Sequence, residues 1–318
     1  MATWSDRSVP PDRGNVRGPD AADNRGVAIA DVSSILGVPL PTLRSWEQRY
    51  GLPAMSHDRG RHRRYLPVQV HAIRLMRDAV ARGEQAGPAA AKVHRLLRIG
   101  GDAGVIIHDL LEASEHPDAH GIRRALDDAV GTLGLANCVD DVLLPAMRQV
   151  GLWWEIGHCD VGQERTTTAS VRAWLDRCMA FAPAPAPAQP RPILLACGPS
   201  DLHTIGLEAM AALLRERGWS CRILGAHTPT ATVVTATRAT GAAAVVLVSQ
   251  LATGRRQAVE SICAVHRIRV PVFYAGTSFN ARRSRVGVPG QYLGNRIQDA
   301  CSQVIGVVTQ ATGTSAAG

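Results

Sequence analysis

From Pro192 onward the chain alternates short, continuous apolar runs with stretches of helical period, and few architectures satisfy that pattern. The strand-like runs are 193–197, 220–226 (with Arg222 inside), 242–249 and 270–275, with a fifth near 291–293; the helical stretches are 204–218, 229–240, 254–266 and 294–312. Strands apolar on both faces must be covered on both faces. This predicts a doubly wound parallel α/β sheet of Rossmann-like type over 193–312. Ligands of such sheets sit beyond the carboxyl ends of the strands. Three short segments fall there: Asp201-Leu202-His203-Thr204-Ile205-Gly206 after the first strand, Ser249-Gln250-Leu251 after the third and Ala275-Gly276 after the fourth. An imidazole used as a metal ligand needs its second ring nitrogen held by an acceptor, and Asp201 stands two residues from His203. His227 faces the same edge without such a partner, and His266 ends a helix.

Upstream, residues 183–192 form a Pro/Ala linker, predicted to be stiff and extended. Before it, 88–182 is Ala- and Leu-rich, with helical spacing at 105–111, 121–130, 139–154 and 163–181. Four such stretches predict a four-helix bundle. The first part differs again. Residues 27–36 show helical period, Gly37 breaks it, and a second helix begins near Pro41. Two short helices around a Gly turn make a helix-turn-helix. The Arg-rich 59–65 suits a hairpin wing, and 68–80 is a further amphipathic helix. Domain boundaries are therefore expected at 1–25 (disordered tail), 26–85 (winged helix-turn-helix), 88–182 (bundle), 183–192 (linker) and 193–312 (α/β).

Charge sharpens the reading. Residues 1–78 carry 12 arginines against 8 acids, 79–190 carry 10 basic residues against 14 acidic, and 191–318 carry 13 arginines against 5 acids. Residues 44–77 alone hold 8 arginines and 2 acids, which points to a polyanion partner. No apolar run reaches the roughly 18 residues that span a bilayer, so no membrane association is expected. The seven cysteines form no C-x-x-C pair, which suits reduced thiols in a cytoplasm rather than a disulfide framework.

Thr42-Leu43-Arg44-Ser45-Trp46-Glu47-Gln48-Arg49-Tyr50-Gly51-Leu52, followed by Gly60-Arg61-His62-Arg63-Arg64-Tyr65, resembles the DNA-binding domain of MerR-type regulators. Pro53 stands one place earlier than in that pattern. The resemblance implies double-stranded DNA as partner, with contacts from Thr42, Arg44, Arg49 and Tyr50 of the recognition helix and Arg61, Arg63, Arg64 and Tyr65 of the wing. Guanidinium and phenol chemistry agrees with phosphate and base-edge recognition. Leu43 and Trp46 are expected in the core.

The D-x-H-x-x-G, S-x-L and Ala275-Gly276 segments resemble those of cobalamin-binding domains, with Ala275 where that family has Gly. The resemblance implies that His203 is the lower axial ligand of cobalt, held by Asp201. Gly206 would allow close backbone approach to the corrin, and Ser249, Ala275 and Gly276, with Leu251 beside them, would line the slot for the displaced cofactor tail. Trp154, followed by nine residues and then Glu164, resembles the helical cap of light-responsive cobalamin regulators, where the Trp lies over the upper face of the cofactor. Two departures stand beside this. Arg165 replaces a His of the cap motif, and Glu155 stands where light-responsive members have a His that captures cobalt after photolysis. A carboxylate is the poorer ligand there; His158, one turn on, is a candidate substitute.

Together these features imply a multidomain α plus α/β transcriptional regulator, not an enzyme. It would be a repressor that takes adenosylcobalamin, assembles as a homo-oligomer (dimer or tetramer) and is released by light. Three alternatives remain. One is a MerR-type regulator with a degenerate sensor, another a sensor of cobalamin level alone, and the third a corrinoid carrier or enzyme module, which the helix-turn-helix argues against.

Overall fold

The computed structural model describes residues 27–53, 64–97, 102–155, 157, 159–184 and 191–315. They form two compact units that divide between Ala91 and Lys92.

The first unit runs β1 (Val27–Ala28), α1 (Ile29–Leu36), α2 (Leu40–Tyr50), β2 (Arg64–Tyr65) and α3 (Pro67–Ala81), then enters α4 (Ala86–Leu97). The first helix starts at Ile29 rather than at Val27. Val27 and Ala28 instead pair antiparallel with Tyr65 and Arg64, closing a two-stranded ladder at the wing. Gly37 ends α1 at φ +64°, a left-handed turn that a side chain disfavours. Pro41 sits in the first turn of α2, where its missing N–H leaves no bond unmade. Val32, Leu43, Trp46, Leu52, Ile73 and Met76 are buried and form the core of this unit.

The second unit opens with helices α5 (Asp102–Glu115), α6 (Ala119–Leu133), the short α7 (Leu135–Asn137), α8 (Leu144–Glu155) and α9 (Val161–Phe181). A π-helical turn, Cys138–Leu143, joins α7 to α8, so the expected four-helix bundle is present with its third member bulged. Asp118 caps α6 through the N–H groups of His120 and Gly121. Asp160 and Gln163 form a reciprocal capping box on α9. The bundle buries Ile107, Leu110, Leu126, Val142, Trp153 and Trp174, and the Trp174 indole N–H donates to Asp127 at 2.8 Å.

The sheet follows as β3 (Ile193–Cys197), α10 (Ile205–Glu216), β4 (Cys221–Gly225), α11 (Thr230–Thr240), β5 (Ala244–Val248), α12 (Arg255–Arg267), β6 (Val272–Ala275), β7 (Gln291–Tyr292) and α13 (Ile297–Ser315). All five strands are parallel, in the order β4-β3-β5-β6-β7. Every residue of β3 and β5 is buried, as expected for central strands covered on both faces. Val233, Ala258, Ile262 and Val265 from α11 and α12 pack on Leu194, Val245 and Leu247. α10 and α13 pack against each other, with the Cys301 thiol donating to the Met210 carbonyl.

Bundle and sheet are tied at two places. Arg172 of α9 donates to the Thr204 hydroxyl at 2.7 Å and pairs with Glu208 of α10 at 3.3 Å. The buried carboxylate of Asp140, in the π-helical turn, accepts the N–H groups of Ile297 and Gln298 at 2.7 and 3.1 Å and so caps α13. Arg296 adds ion pairs to Asp140 and Asp141. All seven cysteines are free, and burial pushes the Cys138, Cys197 and Cys301 thiols up to about 12, which leaves them inert.

Candidate functional site

The strand order places the site. The chain moves outward from β3 to β4, then returns past β3 to β5 and continues the other way. The crevice at this switch point lies beyond the carboxyl ends of β3 and β5. The loop after β3 carries Asp201 and His203, and the loop after β5 carries Ser249, Gln250 and Leu251.

Asp201 organises this edge. It is 1% exposed. Its Oδ1 accepts the His203 backbone N–H at 2.9 Å and lies 2.8 Å from His203 Nδ1. Its Oδ2 accepts the backbone N–H of Gln250. Its carbonyl accepts the N–H of His227 at 2.9 Å. Burial alone would raise the Asp201 carboxyl, but the hydrogen bonds from the His203 ring, Gln250 and the His203 backbone outweigh it and hold the group below the usual carboxylate range. The same ring contact raises His203, against a smaller opposing effect of burial. With Nδ1 engaged, the imidazole is oriented and its Nε2 remains available: the His203 side chain is 55% exposed.

Gln250 was not singled out from sequence, although it is the middle residue of the Ser249–Leu251 segment. Besides its bond to Asp201, its side-chain oxygen accepts the Thr277 N–H at 3.1 Å, and its carbonyl accepts the Thr277 hydroxyl. The loops after β3, β4, β5 and β6 are thereby linked through Asp201 and Gln250. The His227 ring lies 3.1 Å from the Pro199 carbonyl, and its backbone N–H is bonded to Asp201.

The small residues have distinct reasons. A Cβ on Gly206 would meet nothing within 4 Å, so the protein leaves open space beside the His203 loop. A Cβ on Gly276 would lie 2.1 Å from the Ser249 carbonyl oxygen, and its φ is +108°. Gly276 therefore lets the loops after β5 and β6 touch backbone to backbone. Its neighbour Ala275 is half-buried. Ser249 is fully buried, its hydroxyl 3.4 Å from the Leu251 carbonyl, whereas Leu251 is exposed.

In the bundle, Trp154 is 52% exposed while Trp153 is 1% exposed. Of two adjacent indoles, one is core and the other is presented. Glu164 accepts the Thr168 hydroxyl at 2.8 Å, and Glu155 and Arg165 are exposed. His158 lies outside the described residues. Arg172 was not anticipated as part of this region. The only cue was its position on the helix that begins beside Glu164, and its partner Thr204 is sequence neighbour to His203.

In the first unit, Arg44 and Arg49 are exposed on α2, Thr42 and Tyr50 are half-buried, and Leu43 and Trp46 are core as expected. Tyr65 is 3% exposed, with its hydroxyl enclosed in the unit. Arg61 and Arg63 lie outside the described residues, as does the side chain of Arg64.

Comparison with known proteins accounts for each part. Residues 27–85 match the MerR HTH family regulatory protein model, and residues 106–179 and 191–292 match two B12 binding domain models. The HTH-type transcriptional repressor CarA of Myxococcus xanthus is 32% identical over 206 residues, covering 64% of this chain and 69% of the relative. CarH of the same organism, also an HTH-type transcriptional repressor, is 27% identical over 212 residues, covering 62% and 70%. The monomethylamine corrinoid protein of Methanosarcina barkeri superposes with a TM-score of 0.52 at 14% identity over 64% of this chain and 98% of its own, a likeness of fold alone. With a MerR-type unit ahead of two B12 binding domains, the chain belongs to the family of HTH-type transcriptional repressors that includes CarA and CarH.

Proposed function

We propose that this chain represses transcription under the control of cobalamin, with His203 as the lower axial ligand of cobalt. The observation that carries the reading is the Asp201–His203 pair. A buried carboxylate fixes the ring through Nδ1 and presents Nε2 at the carboxyl edge of the sheet, beside the open space at Gly206. That donor set suits a metal that takes neutral imidazole. Bound cobalamin would supply cobalt with an axial position that imidazole fills and, in the adenosyl form we assign, a light-cleavable bond. Asp201 would keep the Nε2 lone pair directed outward. Gly206, Ser249, Leu251, Ala275 and Gly276 would line the slot, Trp154 would cover the upper side, and Glu164 would sit beside it. The domains would be 26–85 for DNA, 88–182 for the cap and 193–312 for the cofactor. Operator contacts would come from Thr42, Arg44, Arg49 and Tyr50 and from the wing arginines 61, 63 and 64.

Control would act through assembly. A cofactor shifts an association equilibrium only as far as it prefers the assembled state, and several DNA-binding heads on one particle multiply the hold on DNA. One observation favours a second reading in which cobalamin level, not light, is sensed: Glu155 and Arg165 are both exposed and neither offers an imidazole.

The test is size-exclusion chromatography with in-line absorbance on protein loaded with adenosylcobalamin in the dark, then illuminated, beside His203→Ala. A corrin spectrum co-eluting with a large species that shrinks in light supports the photosensing form. A His203-dependent spectrum with no change in size supports the level sensor. If no corrin co-elutes, the cofactor reading fails.

A further inference from the structure

We propose that the edge of the α/β part opposite the His203 loop is a second docking surface for the DNA backbone. This rests on the DNA-binding function proposed above and extends it to a part of the chain outside the helix-turn-helix.

Each of α10, α11 and α12 ends at the amino edge of the sheet, where the next strand begins. The stretches lying there, 191–192, 215–222, 238–243 and 266–271, hold seven arginines and a single acid, Glu216. Arg191, Arg222, Arg238, Arg267 and Arg269 are exposed. A cavity of about 380 Å³ opens at this edge, lined in part by Arg191, Arg238 and Arg267.

Some of this charge has a structural use. Arg191 donates to the carbonyls of Gly241 and Ala242 at 2.8 and 3.2 Å, closing the end of α11. Arg217 donates to the Ser302 hydroxyl. A cation in the last turn of a helix also complements the helix dipole, which suits Arg238 and Arg267. That explains one charge per helix end but not the near absence of acids, nor Arg222 and Arg269. Among the described residues Arg222, Arg238, Arg267 and Arg269 have no ion-pair partner. Arg269 is held at φ +58°, where glycine would be the cheaper residue, so a charged side chain is presented from a strained turn.

A surface of guanidinium groups without ion-pair partners among the described residues, two of which (Arg238 and Arg267) line an open cavity, fits a polyanion. Guanidinium matches phosphate oxygens in pairs of parallel hydrogen bonds. The polyanion this chain is built to meet is DNA. Contacts of this kind carry no sequence information, but they add affinity and fix position.

The test uses the full chain loaded with cobalamin in the dark, a variant with Arg222→Gln, Arg238→Gln, Arg267→Gln and Arg269→Gln together, and Arg44→Ala as reference. Arg191 is left intact because it closes α11. Binding to a long random-sequence duplex is measured across a salt series, with particle size and thermal melting recorded alongside. If the variant leaves two phosphates un-neutralised, the slope of log K against log salt becomes shallower by about 2, and affinity at about 0.15 M salt falls on the order of 30-fold. Particle size and melting stay unchanged. An unchanged slope overturns the proposal, as does a change in particle size without a change in slope, which would make this edge a contact between copies. If Arg44→Ala weakens binding and the fourfold variant does not, only this proposal fails. If the parent itself binds no DNA, the DNA-binding function falls with it.

Discussion

Asp201→Asn is the sharpest single perturbation of the site, because the structure leaves the amide no good orientation. With its oxygen toward His203, the Asn NH₂ group faces the Gln250 N–H, and two donors meet where Oδ2 now accepts. With its NH₂ group toward His203, it opposes the His203 backbone N–H and forces the ring to accept at Nδ1, which moves the ring proton to Nε2 and blocks the nitrogen proposed to face cobalt. Either way a buried donor loses its partner, at a cost of about 1–3 kcal/mol in stability. Weakened support of a metal-ligating imidazole typically costs about 10–100-fold in affinity. Cobalamin titration followed by absorbance reads the second effect, and thermal melting of the unloaded protein reads the first. His203→Ala fixes the spectrum expected when the imidazole is absent. Asp201→Asn should weaken binding and shift the spectrum toward that of His203→Ala. If it melts lower but binds with unchanged affinity and spectrum, Asp201 is only a loop brace, and the assignment of His203 as a supported ligand is wrong.

The pH dependence has a definite sign. Because Asp201 raises His203, the favourable charged pair in the unloaded protein is fully present below the ordinary imidazole value near 6.5 and is lost as pH rises through the raised one. Ligation through Nε2 needs the neutral ring, so cobalamin affinity should climb over that same window; a flat affinity between about pH 6 and 8.5, measured by absorbance titration, would contradict it. Gly276→Ala should destabilise by about 3 kcal/mol or more, since its Cβ meets the Ser249 backbone rather than a yielding side chain, and chemical denaturation will read this directly. Asp140→Ala removes the cap of α13 and one partner of Arg296, and should lower stability by about 1–3 kcal/mol, with Asp140→Asn recovering much of the loss. Trp153→Ala should cost about 3–5 kcal/mol as a cavity in the bundle core, whereas Trp154→Ala should leave melting nearly unchanged and weaken cobalamin binding instead.

Regularity explains what could be read in advance. Central strands such as Ile193–Cys197 must be apolar at every position, so their pattern carries both element and burial. Asp201 and His203 were legible because both stand in one short loop whose D-x-H-x-x-G pattern resembles that of cobalamin-binding domains, a resemblance that implies the contact of carboxylate and ring. Gln250 was not legible as a brace, since its bond to Asp201 runs from the backbone N–H and any residue but proline would supply it. Arg172 to Thr204 spans 32 positions and Asp140 to Ile297 spans 157, distances over which no local pattern speaks. The burial of Tyr65 was illegible for the opposite reason. Its neighbours are charged, and only the pairing of Val27 with Tyr65, which also shortens α1, turns the ring inward.

The two ties between bundle and sheet bear on how an event at His203 could reach the rest of the chain. Thr204 follows His203 directly and opens α10, and its hydroxyl is held by Arg172. Arg172 also holds Glu208 one turn later, so α9 grips the start of α10 at two points. α9 is the helix that carries Glu164 at its beginning, and Trp154 lies at the end of the helix before it. A shift of the His203 loop therefore cannot be absorbed by that loop alone: Asp201 and Gln250 anchor it to the neighbouring strands, and Thr204 anchors it to α9. At the other tie, Asp140 and Arg296 hold α13 to the π-helical turn just before α8. These two ties make α8, with its exposed Trp154 indole, and α9 the route to test from the loop to the bundle. Arg172→Ala should uncouple the two. The unloaded protein would still bind cobalamin through His203, seen in its spectrum, while the change in particle size on loading would shrink or vanish. An unaltered size change would place the coupling elsewhere.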